Sequence, residues 1–334
     1  MKPSNQSKTR VHFLRDLSPE SKDLLTAALS PSIAFSSGEK LPQDDAIQVL
    51  VAGRITPEQL AALPALKMLV VPWAGIPEET RDLLRDAPVS VHNLHHNAAP
   101  TAETALALLF AAAKFIIPFD QALRRHNWQP RYTENPSVLL QGKTALILGY
   151  GEIGRHVGRV CRALNMDVLA LRRHAPPGEH MQEGVHIYRS TALPELLPRT
   201  HVLLITMPLT EETRGMIGQH ELNLMPPGGL LVNVGRGPVV DQAALYQALS
   251  GGRLAAAGLD VWYNYPEDEE SRSHTPPSDY PFHTLENVVM SPHRGGEGGT
   301  QEIERLRMSA LARLLNAAAA GQPVPNHIDL QAGY

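Results

Sequence analysis

The chain has 334 residues, too many for one ordinary domain and a good fit for two. Its formal net charge of −4, from 30 Lys and Arg against 34 Asp and Glu, argues against a nucleic-acid footprint, and no basic run is long enough to make one. The single cysteine, Cys161, permits no internal disulfide and fits a reducing compartment.

Met1 to Arg10 is polar and lacks an apolar core, so no signal peptide is expected. The most apolar stretch, Ala105 to Ala113, is too short to span a bilayer and runs into Lys114. A cytoplasmic location without a membrane partner is the expectation. Val11 to Leu14 reads as a strand, and Ser18-Pro19-Glu20 opens a helix with an N-cap and a proline in the first turn. Strands are expected at Ile47 to Ala52, Met68 to Pro72 and Val89 to Leu94. Helices near Pro57 to Ala62 and Pro77 to Arg85 separate them, an alternation that implies a parallel sheet. Thr101 to Lys114 then forms an Ala/Leu helix apolar on most sides.

The next segment carries the most chemistry. Lys143 to Leu148 reads as a buried strand that meets Gly149, Gly151 and Gly154 at the spacing G-x-G-x-x-G. A helix follows, with Val157, Val160, Cys161 and Leu164 on its apolar face. Gly149 permits the tight turn, Gly151 lets backbone N–H groups approach a pyrophosphate, and Gly154 lets helix pack close on strand. The helix N-terminus favours the anion. With a second strand at Asp167 to Leu171, the unit is βαβ and reads as a dinucleotide site.

The end of that second strand usually presents an acid to the adenosine ribose. Here Arg172 and Arg173 stand there, followed by His174. Two guanidiniums suit a 2′-phosphate, so NADP(H) is the expected cofactor, with NAD(H) possible. Beyond it, strands at Val202 to Thr206, Leu230 to Val234, Ala256 to Asp260 and Val288 to Ser291 alternate with helices. The segment Pro266 to His283 is irregular and acidic, and a helix from Thr300 to Ala319 precedes a closing loop.

Five segments occur in an order that resembles the D-2-hydroxyacid dehydrogenase family. They are Asn97 to Ala105, Pro208-Leu209-Thr210-Glu211-Glu212-Thr213-Arg214-Gly215, Leu231 to Gly237, Gly258-Leu259-Asp260-Val261-Trp262, and Ser291-Pro292-His293-Arg294-Gly295-Gly296. The likeness runs from about residue 45 to residue 328. It implies an α/β fold of two Rossmann-like domains, with parallel sheets flanked by helices. The cofactor domain, 99–296, would be inserted into a discontinuous substrate domain, 1–98 plus 297–334.

The resemblance also implies site residues. Arg236 matches the arginine that grips the substrate carboxylate, and His293 the general acid/base. Ala74, Gly75 and Ile76 resemble the carboxylate-binding loop, and Asn97 borders the substrate. Cofactor contacts are implied for Glu152 and Ile153 through backbone, for Thr101, Pro208 and Thr213, and for Val234, Gly235 and Gly295. Asp260 would take the carboxamide N–H groups, or else act as a turn residue after its strand.

In the family a glutamate five residues after this aspartate pairs with the catalytic histidine. That position is Tyr265 here, with Glu267 as a substitute if the loop bulges. A phenol supplies no negative charge at neutral pH. His92, His95 and His96 invite a metal reading, but such close spacing on an extended segment rarely converges on one ion, and no metal is expected. Trp73 neighbours the carboxylate loop, and Trp128 resembles an interface residue in a homodimer formed through Thr101 to Trp128.

The expected activity is hydride transfer between NADP(H) and a small 2-keto or 2-hydroxy acid, of the glyoxylate or hydroxypyruvate type. Two alternatives stay open. One is a cofactor-sensing protein of the same fold with reduced catalysis, and the other a dehydrogenase of a different small anion such as formate or phosphite.

Overall fold

The computed structural model describes residues 8–43, 46–176, 178–296 and 299–332. The chain divides into two compact units, Met1–Asn97 with Gly298–Tyr334, and Ala98–Glu297.

The first unit carries β1 (Thr9–Phe13), α1 (Pro19–Ala28), β2 (Ile33–Ser37), β3 (Val49–Val51), α2 (Pro57–Ala61), β4 (Met68–Val71), α3 (Glu78–Leu84) and β5 (Ser90–Asn93). Its sheet runs β2-β1-β3-β4-β5, all parallel. The helix starts follow local chemistry. The Ser18 hydroxyl accepts from the Ser21 N–H, and Thr56 with Gln59 forms a reciprocal capping box. The strand β2 is not apparent from the sequence. It is an edge strand with only Ile33 buried, so its serines leave little alternating signal.

The second unit holds α4 (Ala98–Ala113), α5 (Ile116–Arg124), β6 (Thr144–Leu148), α6 (Glu152–Ala163), β7 (Asp167–Leu171), β8 (His180–Gln182), β9 (Val185–Tyr188) and α7 (Leu193–Leu196). It continues through β10 (Val202–Ile205), α8 (Gln219–Leu224), β11 (Gly229–Asn233), α9 (Gln242–Ser250), β12 (Leu254–Leu259) and β13 (Val288–Met290). The sheet order is β13-β12-β11-β10-β6-β7-β9-β8, and only the β8–β9 pair is antiparallel. Leu146 and Leu148 pack on one face with Leu203, Ile205 and Leu231, whereas Ala145 and Ile147 pack on the other with Val202, Leu204 and Leu230. Strands buried on both faces read as continuous apolar runs, which is why these were legible. The β8–β9 hairpin was not. Its two-residue turn, Glu183-Gly184, has φ of 52° and 73°, a turn that sequence flags far more readily with Asn or Asp before the glycine.

Two further differences from the sequence reading are local. The long apolar helix begins at Ala98 rather than Thr101, and it breaks by 66° into α5. Phe115 makes the break with φ of 51°. Gly258 explains how closely α4 lies on the sheet, because a Cβ there would meet the Leu108 Cβ at 2.7 Å. The Pro266 to His283 segment packs down through Phe282, which is 1% exposed and contacts Trp262 and Tyr246 edge-on. The chain returns to the first unit with α10 (Gln301–Ala319), capped by the Thr300 hydroxyl and packed on α1.

Buried histidines give the first unit a pH response. Burial lowers the pKa values of His12, His92 and His96, the last to about 4 from an ordinary 6.5. His96 Nε2 accepts from Arg307 Nε at 3.3 Å, so protonation would set two cations together. Folded-state values below the unfolded one mean that the unfolded chain takes up protons first. Their contribution is whole above 6.5 and is lost as pH falls from there toward about 4. Thermal unfolding scanned from pH 7.5 to 4.5 should show a falling Tm. The slope should be shallower in His96→Gln, whose amide oxygen can still accept from Arg307.

Candidate active site

The glycine loop has the geometry that an anion cradle needs. Gly149 has φ of 95°, and a Cβ on it would meet Met207 backbone at 2.9 Å. A Cβ on Gly154 would strike the Gly149 carbonyl oxygen at 2.4 Å, whereas one on Gly151 would enter open space. Gly151 is the N-cap of α6, and no side chain caps that terminus. The Glu152 and Ile153 N–H groups at the helix start are therefore not spent on a local side chain, and the loop fits a pyrophosphate.

At the end of β7 the two arginines differ. Arg173 Nη2 lies 2.9 Å from Glu212 Oε1, in the loop after β10. Among the described residues the Arg172 side chain has no hydrogen-bond or ion-pair partner. The fork expected from sequence is thus divided, with Arg172 open and Arg173 engaged. The Pro208–Thr213 turn braces itself: Thr213 Oγ1 accepts from the Thr210 N–H at 2.8 Å and donates to the Pro208 carbonyl at 2.9 Å.

Arg236 follows β11 and owes its position to its neighbours. A Cβ on Gly235 would meet the Met207 carbonyl oxygen at 2.5 Å, and one on Gly237 the Trp262 carbonyl oxygen at 2.2 Å. The two glycines let the backbone pass between the loops after β10 and β12. Asn233 then clamps the bend, accepting from the Gly235 N–H and donating to the Arg236 carbonyl, each at 3.0 Å. Val234 is buried beside it. Desolvation lowers the Arg236 pKa and Tyr265 opposes this, but the residue is open to solvent, so its guanidinium stays charged.

His293 sits in the turn after β13 with φ of 58°, a left-handed backbone that a histidine adopts only when its surroundings impose it. Asp260, 1% exposed, imposes it. Its carboxylate accepts from the Ser291 hydroxyl and from the Arg294 and Gly295 N–H groups at 2.9 Å. This is the turn-holding role that the sequence left as the alternative for Asp260. Trp262 holds the same turn from the other side, donating Nε1–H to the Ser291 carbonyl at 2.8 Å.

Tyr265 completes the arrangement. Its Oη is 2.9 Å from His293 Nδ1 and accepts from the Trp262 backbone N–H at 3.1 Å. Glu267 lies exposed in the following loop. The phenol is therefore the group at Nδ1. The bracing roles of Trp262 and Ser291 were not foreseen. The signal was present, because Trp262 lies inside a matched motif and an indole has one N–H to place.

In the first unit, Ala74 and Gly75 lie in the bend after β4 with Ile76 just beyond it, and Asn97 lies in the turn that closes this unit. The Trp73 ring covers Gly53, where a Cβ would meet it at 1.8 Å. His92 Nδ1 donates to the Pro325 carbonyl at 2.8 Å, and His96 faces Arg307, so the structure gives these histidines separate partners. Thr101 is buried in the first turns of α4.

Residues 106–295 match the family model described as D-isomer specific 2-hydroxyacid dehydrogenase, NAD binding domain. A glyoxylate reductase of Aeropyrum pernix is 32% identical over 335 residues, covering 96% of each chain. A D-3-phosphoglycerate dehydrogenase of Mycobacterium tuberculosis is 33% identical over 300 residues, covering 88% of this chain and 52% of that protein. The chain thus spans about half the length of the phosphoglycerate dehydrogenases it matches. A D-isomer specific 2-hydroxyacid dehydrogenase from Xanthobacter autotrophicus Py2, crystallised with NADPH and MES, superposes with a TM-score of 0.79. It is 25% identical, with 98% of this chain and 100% of that one covered. The chain belongs to the D-isomer specific 2-hydroxyacid dehydrogenase family.

Proposed function

We propose that the protein is an NADP(H)-dependent reductase of small 2-keto acids of the glyoxylate and hydroxypyruvate class. The observation that carries this reading is the hydrogen-bonded Tyr265–His293 pair, in a unit that also carries the glycine loop after β6 and Arg236 after β11. A binding-only protein needs no histidine forced into a left-handed turn against a phenol. The near full-length likeness to a glyoxylate reductase supports the substrate class.

The bound cofactor supplies the hydride. Arg236 grips the substrate carboxylate with its planar fork and polarises the keto group. His293 in its imidazolium form delivers the Nε2 proton to the developing alkoxide. Tyr265 holds the ring through Nδ1 but gives the imidazolium no full counter-charge, so the acid form that reduction uses persists only up to a lower pH than a carboxylate partner would allow. Gly149, Gly151 and Gly154 with the start of α6 would hold the pyrophosphate, and Thr101, Pro208, Thr213, Val234, Gly235 and Gly295 would line the remaining length.

Arg172 supports NADPH over NADH. Titration of nicotinamide fluorescence should show tighter NADPH binding, weakened about tenfold by Arg172→Ala, as for loss of a charge-assisted contact. NADH binding as tight as NADPH, with no effect of Arg172→Ala, overturns the cofactor reading.

The second unit's surface supports a homodimer. Ile116, Ile117, Leu123, Trp128, Tyr132 and Leu139 are all exposed, from 40% to 76%, a concentration that a lone surface rarely tolerates. Sedimentation at micromolar concentration should give twice the chain mass, and a monomer refutes it. Among the described residues no single helix is long and apolar enough to cross a membrane. The Cys161 thiol, pushed up to about 12 by burial, is chemically quiet and fits the cytoplasmic setting proposed here.

A further inference from the structure

We infer that Glu212 is a specificity-determining residue, which holds Arg173 away from the cofactor's 2′-phosphate and so keeps the adenosine end usable by both nicotinamide cofactors. The inference rests on the cofactor reading above and refines it. Arg173 follows β7, and Glu212 lies in the loop after β10. The strand order β10-β6-β7 puts these two loops on either side of β6, whose C-terminal end leads into the glycine loop. The 2.9 Å ion pair between them therefore bridges the crevice at the strand ends, where a dinucleotide's adenosine lies in folds of this kind.

The bridge is built rather than incidental in one respect. Glu212 is presented from a turn that the Thr210–Thr213 hydrogen bonds fix on both sides. Arg173 is the less exposed partner, at 34% against 65% for Glu212, so the acid is the side chain with room to leave. A 2′-phosphate entering beside Arg172 attracts Arg173 as well, but must first separate it from Glu212. The released carboxylate then remains close to a dianion, and the two repel. A 2′-hydroxyl meets neither obstacle. Glu212 thus lowers affinity for the phosphorylated cofactor selectively, and Arg172, with no competitor among the described residues, sustains the preference that remains.

Because both side chains are partly exposed, the effect is modest and salt-sensitive. The test uses adenosine 2′,5′-bisphosphate and AMP as probes of the adenosine end, titrated calorimetrically at low ionic strength into the full chain. Glu212→Gln should tighten bisphosphate binding about twofold to fivefold and leave AMP unchanged, with the gain shrinking at high salt. In an Arg173→Ala background the same substitution should give a smaller gain, because only the repulsion remains and the competition for Arg173 is gone. A full gain in that background shows simple repulsion and overturns the pairing. A wild type that prefers bisphosphate, with a Glu212→Gln ratio unchanged, also overturns it while leaving the NADP(H) reading intact. If the wild type shows no preference but Glu212→Gln acquires one, the pairing stands and the wild-type cofactor preference falls. No preference in either overturns both.

Discussion

Replacing His293 with alanine should lower kcat/KM for 2-keto acid reduction by about a hundredfold to ten-thousandfold, the range that one positioned general acid contributes. NADPH binding should change little, because the proposed mechanism gives His293 the proton and leaves the cofactor to other residues. The partner residue makes the expectation sharper. Tyr265 Oη lies at Nδ1, where the family carries a carboxylate, and a phenol stabilises imidazolium less than an anion does. Tyr265→Glu should therefore raise the pKa of His293 and move the alkaline limb of the kcat/KM profile to higher pH, by about one unit or more. Tyr265→Phe should keep the limb low and lose orientation, reducing kcat. A limb unmoved in Tyr265→Glu would mean that Tyr265 does not govern the protonation of His293.

Arg236→Ala should be as damaging, with a different signature. In the proposed mechanism the guanidinium binds the carboxylate in the ground state and stabilises charge at the reacting oxygen in the transition state. KM should rise and kcat fall together, with a combined loss of about a thousandfold or more in kcat/KM. Arg236→Lys should recover only part of it, because a point charge replaces a planar fork. The neighbouring glycines should be intolerant for another reason. Gly237→Ala would set a Cβ against the Trp262 carbonyl, 2.2 Å away in the present geometry, and would displace the segment that carries Arg236. A Gly237→Ala enzyme with ordinary KM would show that the bend can relax without moving the guanidinium.

Trp262 links these two expectations. Its backbone N–H donates to Tyr265, its indole to the Ser291 carbonyl, and its own carbonyl faces Gly237. One residue at the end of β12 thus sets both the base of the histidine turn and the room allowed to the arginine bend. The adjacent Asp260 fixes the same turn from the buried side, so the left-handed His293 backbone is held by three independent hydrogen bonds to one carboxylate.

What the sequence determined by itself was whatever a residue needs from its immediate neighbours. The glycine loop was legible because each glycine answers a demand within a few residues: a positive φ at 149, an open approach at 151, a close helix at 154. Runs such as Leu146-Ile147-Leu148 and Val202 to Ile205 announced strands buried on both faces, and Ser18, Thr56 and Thr300 announced helix starts. What only the tertiary structure decided were the partners that strand order and loop path bring together. Tyr265 and His293 are 28 residues apart, and Arg173 and Glu212 are 39 apart. No local pattern says that a loop after β7 faces a loop after β10. Two arginines that look equivalent in the chain therefore become, among the described residues, one without a side-chain partner and one paired with Glu212, and Asp260 becomes the clamp of a turn whose strand lies beside its own. The physical reason is range. Backbone conformation and helix capping are settled within a few bonds, whereas a charge pair or a shared proton depends on where the fold has carried each side chain.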